Sequence, residues 1–124
     1  NLLPLLYDIY KAFEVIKKSE ADYSLDYRIV SYINRHISDD ISVRRLCEKF
    51  FISESQLRRI FKRATASTVG DYITVKRLVK ARSLILSGTS PTRAYLQCGF
   101  KDYSVFYRAY KKKYGTSPSK ISIG

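Results

Sequence analysis

The sequence is poor in the side chains from which catalytic and metal centres are made. It has one histidine, His36, and two cysteines, Cys47 and Cys98, among 124 residues. That set cannot assemble a Cys/His zinc cluster, and two such isolated cysteines make no disulfide framework. No nucleophile is paired with a base, no glycine-rich loop is shaped for phosphate, and no carboxylates cluster. The expectation is that the chain is not an enzyme and holds no metal or cofactor. A reactive thiol at Cys47 is the one enzymatic alternative with a residue behind it, and a thiol-reactivity assay on the folded domain addresses it. Both cysteines fall on apolar stripes, where a free thiol acts as a small hydrophobe. Such usage points to a reducing compartment, most simply the cytoplasm. No apolar run reaches the roughly 18 residues of a membrane span, so no membrane is expected among the partners. The leucine-rich start lacks the basic opening and small-residue cleavage site of a signal peptide. Methionine is absent even from position 1, where Asn1 stands; the expectation is a piece of something longer.

Acidic residues are scarce as well, 11 against 23 Lys/Arg, and the imbalance is uneven. Residues 1–40 hold five Lys/Arg against seven acids. Residues 41–124 hold 18 against Glu48, Glu54, Asp71 and Asp102, a local charge of +14. A field of that kind is a phosphate-binding footprint, because neutralised phosphates release condensed counterions and drive association. The bland alternative is a basic surface kept for solubility. With 45% hydrophobic and 14% aromatic residues the chain is a folded globular protein, not a basic disordered tail.

The basic part opens on a recognisable unit. On a period near 3.6, Val43, Leu46, Cys47 and Phe50 make one apolar stripe. Leu57, Ile60, Phe61 and Ala64 make a second. Ser42 is placed to cap the first helix and Ser53 the second, with Gln56 three residues on to complete a capping box. Two short amphipathic helices joined by so few residues make a helix-turn-helix. The outward face of its second helix carries Glu54, Ser55, Gln56, Arg58, Arg59, Lys62 and Arg63, which suits a major groove.

Ahead of it, Leu2, Leu5, Leu6, Ile9, Phe13 and Ile16 predict an N-terminal helix, and Ser19–Ser24 a polar linker. A further helix over about Leu25–Ile37 turns Ile29, Val30, Ile33 and Ile37 inward and braces the unit. His36 reads as a helix-end cap, and Ser38-Asp39-Asp40 as a break. Behind the unit, Thr68 and Asp71 predict a second capping box. The long helix Asp71–Leu86 that follows is girdled by Tyr72, Val75, Leu78, Val79, Ala81, Leu84 and Ile85, as in a helix packed between two bodies. Lys76, Arg77, Lys80 and Arg82 take its remaining surface, and Gly88 ends it.

The pattern then repeats. Ser90 caps, Pro91 takes the first helical position, and Ala94, Tyr95 and Cys98 point inward. Gly99 turns the chain. Asp102 caps a last helix that buries Phe106, Ala109 and Tyr110. At an offset of 49, Ser55 falls on Ser104, Arg59 on Arg108, Phe61 on Tyr110, Lys62 on Lys111 and Thr68 on Ser117.

These residues resemble the DNA-binding domain of the AraC/XylS family of bacterial transcription regulators. The resemblance covers about Ile41–Ile121 and rests on Leu46-Cys47, Ser53, Leu57, Phe61-Lys62, Tyr72, Arg77-Leu78, Ala81, Leu84-Ile85, Cys98-Gly99-Phe100, Phe106, Arg108, Lys111 and Gly115-Thr116-Ser117-Pro118. It implies an all-α, homeodomain-like fold of seven helices: two helix-turn-helix subdomains joined by a long linker helix, with an extra N-terminal helix. The expected organisation is an N-terminal helix and linker over 1–24, possessing the place of an effector domain's end, the first subdomain over 25–70, the linker helix over 71–88 and the second subdomain over 89–124. Some positions depart from the family. Phe51 and Ala66 stand where glycine is usual, so a left-handed backbone at Phe51 is expected to be strained or avoided. Tyr95 replaces a small residue, and Pro91 and Ala94 replace isoleucines.

The resemblance implies a sequence-specific regulator whose two recognition helices enter successive major grooves of double-stranded DNA. It implies base contacts from Ser55, Gln56 and Arg59 in the first helix and from Ser104, Val105 and Arg108 in the second. The chemistry suits the polar members: arginine grips guanine bidentately and glutamine grips adenine, whereas Val105 offers only an apolar contact to a thymine methyl. Tyr103 and Tyr107 join the candidates for base or sugar contact on exposure alone, against the equal alternative that they pack on a neighbouring helix. Arg58, Lys62, Arg63, Lys111 and Lys112 read as phosphate contacts, with the helix starts at Ser42, Ser53, Ser90 and Asp102 adding donors. One of Lys111–Lys113 is expected to face solvent only, since a helix cannot aim three successive residues alike. Expected partners are DNA and RNA polymerase, with residues 2–16 as the place for an effector domain or dimer partner. The expected location is the cytoplasm, at the nucleoid when bound. The rivals are a non-specific nucleic-acid binder, which predicts no preference among duplex sequences, and a protein-interaction module, whose acidic partner plain DNA would displace.

Overall fold

The computed structural model describes residues 24–120. The helix expected over residues 2–16, the partner role given to it, and nearly all of the 19–24 linker lie outside the described residues. Those described fold as α1 (Leu25–Arg35), α2 (Val43–Phe50), α3 (Glu54–Thr65), α4 (Val69–Leu86), α5 (Pro91–Gln97) and α6 (Tyr103–Tyr114), followed by a 3-10 turn at Pro118–Lys120.

Local chemistry sets most of the helix starts. The Ser42 hydroxyl accepts from the Arg45 amide at 3.1 Å and opens α2. At α3 the reciprocal box is complete: the Gln56 amide donates to Ser53 Oγ at 3.1 Å, and the Ser53 amide donates to Gln56 Oε1 at 2.8 Å. Asp102 Oδ1 accepts from the amides of Ser104 and Val105 at 2.7 and 3.3 Å and opens α6. Two expectations are corrected. Only the Thr68 half of the box at α4 is formed, with the Asp71 amide donating to Thr68 Oγ1 at 3.2 Å, and the helix starts earlier, at Val69. Ser90 gives α5 no side-chain cap; its hydroxyl lies 3.4 Å from Thr92 Oγ1, and Pro91 alone presets the first turn. His36 does end α1, its amide donating to the carbonyls of Tyr32 and Ile33.

Two separate hydrophobic clusters form, and α4 belongs to both. The first joins Ile29 and Ile33 of α1, Leu46 of α2, Leu57 and Phe61 of α3, and Val69 and Ile73 of α4. The second joins Leu78 and Ala81 of α4 with Cys98, Phe100, Phe106 and Tyr110. With Ile29 and Ile33 fully buried, α1 completes the first cluster, since each such side chain contributes about 1.5–3 kcal/mol. The Tyr72 hydroxyl also donates to Asn34 Oδ1 at 2.8 Å, tying α4 to α1.

The girdle expected on α4 is narrower than the sequence suggests. At about 100° per residue, Val69 and Ile73 lie on one face and Leu78 and Ala81 on another. Val75, Val79 and Leu86 fall on a third, which is 42%, 50% and 51% exposed at those residues. Two clusters cover two faces of a rod and leave the third to solvent. Ala64 is likewise exposed at the far end of the α3 stripe.

The left-handed backbone at Phe51 is adopted, not avoided. Phe51 has φ 55° and ψ 47°, and Ala66 has φ 60° and ψ 19°. Both are positions where glycine carries no Cβ penalty. Phe51 keeps its ring 93% exposed, so burial does not offset the strain there.

Candidate nucleic-acid interface

The two recognition helices are built alike. Leu57 and Phe61 are the buried pair of α3, and Phe106 and Tyr110 are that of α6. Arg59 and Arg108 each stand midway between such a pair, on the side of the helix turned away from its own core. Both are exposed, as are Ser55, Gln56, Ser104 and Val105, the last by 48%. The residues named from the sequence thus share corresponding outer faces.

The offset of 49 holds from the N-caps onward but not in the turns. In the first turn Phe51 is left-handed and the Ile52 amide donates to the Cys47 carbonyl. In the second, Gly99 is left-handed, with φ 96°, and the Phe100 amide donates to the Tyr95 carbonyl. Phe51 therefore matches Gly99, an offset of 48. The second turn carries one extra residue, Lys101, before its cap.

Several candidates already have work within the fold. The Gln56 carbonyl oxygen accepts from the Ser53 amide, so the amide nitrogen is the end of the side chain left unengaged for a ligand. Arg58 pairs with Glu54 at 3.3 Å one turn away; such an exposed pair is worth about 0.3–0.5 kcal/mol and yields readily to a phosphate. Arg63 is exposed; the Asp26 carboxyl is held below the usual range mainly by the Ser24 hydroxyl that donates to it, with the Arg63 charge a minor help. Tyr103 is half-buried, its ring edge-on to Tyr95 at 5.2 Å and 5.7 Å from Phe106. Tyr107 is more open, its ring 6.3 Å from that of Tyr103. The three lysines closing α6 are all exposed, and Lys113 lies over the Tyr114 ring at 5.3 Å. Ser42 and Ser53 use their hydroxyl oxygens as caps, which leaves each O–H free to donate.

One residue lies deeper than its place in the sequence predicts. Arg77 is half-buried, not one of the surface cations of α4. Burial lowers its pKa from the usual guanidinium value, with the nearby Asp40 carboxylate opposing. No sequence signal marks it, because both of its acceptors are backbone carbonyls, those of Ile37 and Asp39. Cys98 is buried, and burial pushes its thiol up, away from the reactive thiolate. Among the described residues there is no His/Cys/Asp/Glu group able to hold a metal ion. No helix among them is long and apolar enough to cross a membrane.

A family profile described as a helix-turn-helix domain matches residues 46–122. The probable transcriptional regulator LumQ of Photobacterium leiognathi is 36% identical over 96 residues, covering 77% of this chain and 39% of that protein. The chain belongs to the AraC/XylS family of transcription regulators. The xylose operon regulatory protein of Escherichia coli K12 is 31% identical across 95% of the chain and 32% of its own length. Among solved structures, a probable AraC family transcriptional regulator from Rhodopseudomonas palustris superposes with a TM-score of 0.66 at 27% identity, covering 78% of this chain and 94% of that one. The chain thus spans 39% and 32% of the length of these two curated relatives. What it contains is the AraC-type DNA-binding domain, a binding module and not an enzyme.

Proposed function

We propose that this domain reads a specific sequence of double-stranded DNA by inserting α3 and α6 into successive major grooves on one face of the duplex. The observation that supports it most is the matched register of Arg59 and Arg108 on helices whose buried rows are equivalent. Two independent surface arginines have no reason to occupy the same position in two differently packed units. In this reading Arg59 and Arg108 grip guanines, Ser55 and Ser104 hydrogen-bond base edges, and Val105 meets a thymine methyl. Gln56 first holds the start of α3 and offers its amide nitrogen to the groove. Tyr107 lies beside the second groove, and Tyr103 supports it from the core. Lys62, Lys111, Lys112, Arg63 and Arg58 hold phosphates, with Ser42, Ser53 and Ser90 at the backbone.

As part of a longer regulator, the domain works at the nucleoid in the cytoplasm, where RNA polymerase is the partner that turns binding into regulation. Selection of bound duplexes from a random pool, followed by footprinting, tests the proposal. Two half-sites spaced by about one helical turn, roughly 10 bp, are the expected result. Enrichment of a single half-site would make the second unit a scaffold. Equal retention of all sequences would leave a non-specific binder.

A further inference from the structure

Among the described residues the two cores share only α4, yet the two units also touch directly, around the loop that follows α1. Arg77, on α4, donates from Nε to the Ile37 carbonyl and from Nη2 to the Asp39 carbonyl, both at 2.8 Å. One turn along, Lys80 Nζ donates to Ser38 Oγ at 2.6 Å. From the second unit, Lys101 Nζ reaches Asp40 Oδ1 at 3.3 Å. Asp40 is met on its other oxygen by Arg45 Nη1 at 3.6 Å. Lys101 is the extra residue of the second turn, so its one-residue insertion supplies the only side chain of that turn that pairs with this loop among the described residues.

Gly99 closes the arrangement. A Cβ there would fall 2.8 Å from Arg77 Nε and 3.0 Å from its Cζ, so the guanidinium fills the space that a side chain would occupy. The planar fork of arginine makes two bonds to two carbonyls in fixed directions while the same group fills the space beside the glycine. A lysine can do only one of these things.

We infer that Arg77 is a positioning residue that fixes the angle between the two recognition helices, by joining the 37–40 loop of the first unit to the Gly99 turn of the second. The inference rests on the reading that both helices engage one duplex. Its consequence is specificity for half-site spacing, which neither recognition helix encodes. Two tethered modules gain affinity only when their geometry matches the spacing of their sites, so a loosened angle weakens joint binding and leaves each separate contact intact.

The test compares the whole chain with Arg77→Gln on two duplexes, one carrying both half-sites and one carrying only the first. It adds nitroxide labels at Lys62→Cys and Lys111→Cys, in a Cys47→Ala background, to measure the distance between α3 and α6 without DNA. The variant is expected to lose about tenfold or more on the double site, to change by less than about twofold on the single site, and to discriminate less against a spacing altered by 1 bp. The label distances are expected to broaden. Equal losses on both duplexes, or an unchanged distance distribution, would overturn the inference. Should the unaltered chain gain nothing from a second half-site, the two-groove reading fails by itself, and the label distances alone decide the role of Arg77. Asp40→Asn serves if Arg77→Gln does not fold. It releases exposed Lys101 while raising the positive charge, so weaker spacing discrimination supports the inference and unaltered discrimination counts against it.

Discussion

Phe51 and Gly99 occupy the same left-handed position in the turns of the two helix-turn-helix units, with φ 55° and 96°. The bond that closes the turn is also the same in each, from the Ile52 amide to Cys47 and from the Phe100 amide to Tyr95. The residues differ because their surroundings differ. At Gly99 a Cβ would strike Arg77, whereas at Phe51 the side chain projects into solvent, 93% exposed. Glycine is needed at one turn for space, and at the other it would only relieve strain.

Phe51→Gly is therefore expected to stabilise the protein. A left-handed residue with a Cβ costs roughly 1–2 kcal/mol, and the greater freedom of glycine in the unfolded chain takes back part of that. The net gain is about 0.5–1 kcal/mol, or a Tm rise of several degrees for a domain of this size. Ala66→Gly, at φ 60°, should act in the same direction. Gly99→Ala should do the reverse by more than either gain, because it adds the clash with Arg77 to the backbone strain. Thermal melts of the three variants check this; a lower midpoint for Phe51→Gly would mean that the exposed ring supports the turn.

What the sequence made legible was local. Ser42, Ser53 and Asp102 cap their helices through partners two or three residues away, and those spacings are visible in the chain itself. The buried pairs Leu57/Phe61 and Phe106/Tyr110 follow from helical period alone. Arg77 was not legible because its acceptors are backbone carbonyls 40 and 38 positions earlier, and a carbonyl leaves no mark in a sequence. The α4 girdle is narrower than its sequence pattern for a related reason. Periodicity identifies apolar positions, but only the placement of both units decides that Val75 and Val79 stay open while Val69 and Ile73 are covered. The repeat offset slipped at Lys101, since a one-residue insertion inside a turn changes neither helical pattern.

Gln56 was assigned two tasks by its position, and the geometry ranks them. Its oxygen is bonded to the Ser53 amide at 2.8 Å. Gln56→Ala should lose about 0.5–1 kcal/mol of stability through the box. Gln56→Glu should keep that stability, since a carboxylate accepts the same bond and suits the positive end of the helix. Each variant removes the amide nitrogen offered to the groove and is expected to weaken, without abolishing, a base preference at the selected site. If both lose the same adenine preference while Gln56→Glu melts normally, the side chain leaves the cap when DNA binds.

The matched arginines and the lysines beside them should separate cleanly in DNA-binding measurements. Arg59→Ala or Arg108→Ala is expected to cost about 1–3 kcal/mol and to relax preference at one base pair, because a bidentate grip on guanine is lost. Lys62→Ala or Lys111→Ala should instead lower the slope of log affinity against log salt by about one and leave the preferred sequence unchanged, since one fewer phosphate is neutralised. The contrast is sharp because all four side chains are exposed, so none of the changes opens a cavity in either core. Titrations of each variant over a range of salt, against the selected site and single-base variants of it, give both quantities. A uniform loss over all sequences for Arg59→Ala would move that arginine from the bases to the backbone, and an unchanged slope for Lys111→Ala would take that lysine off the duplex.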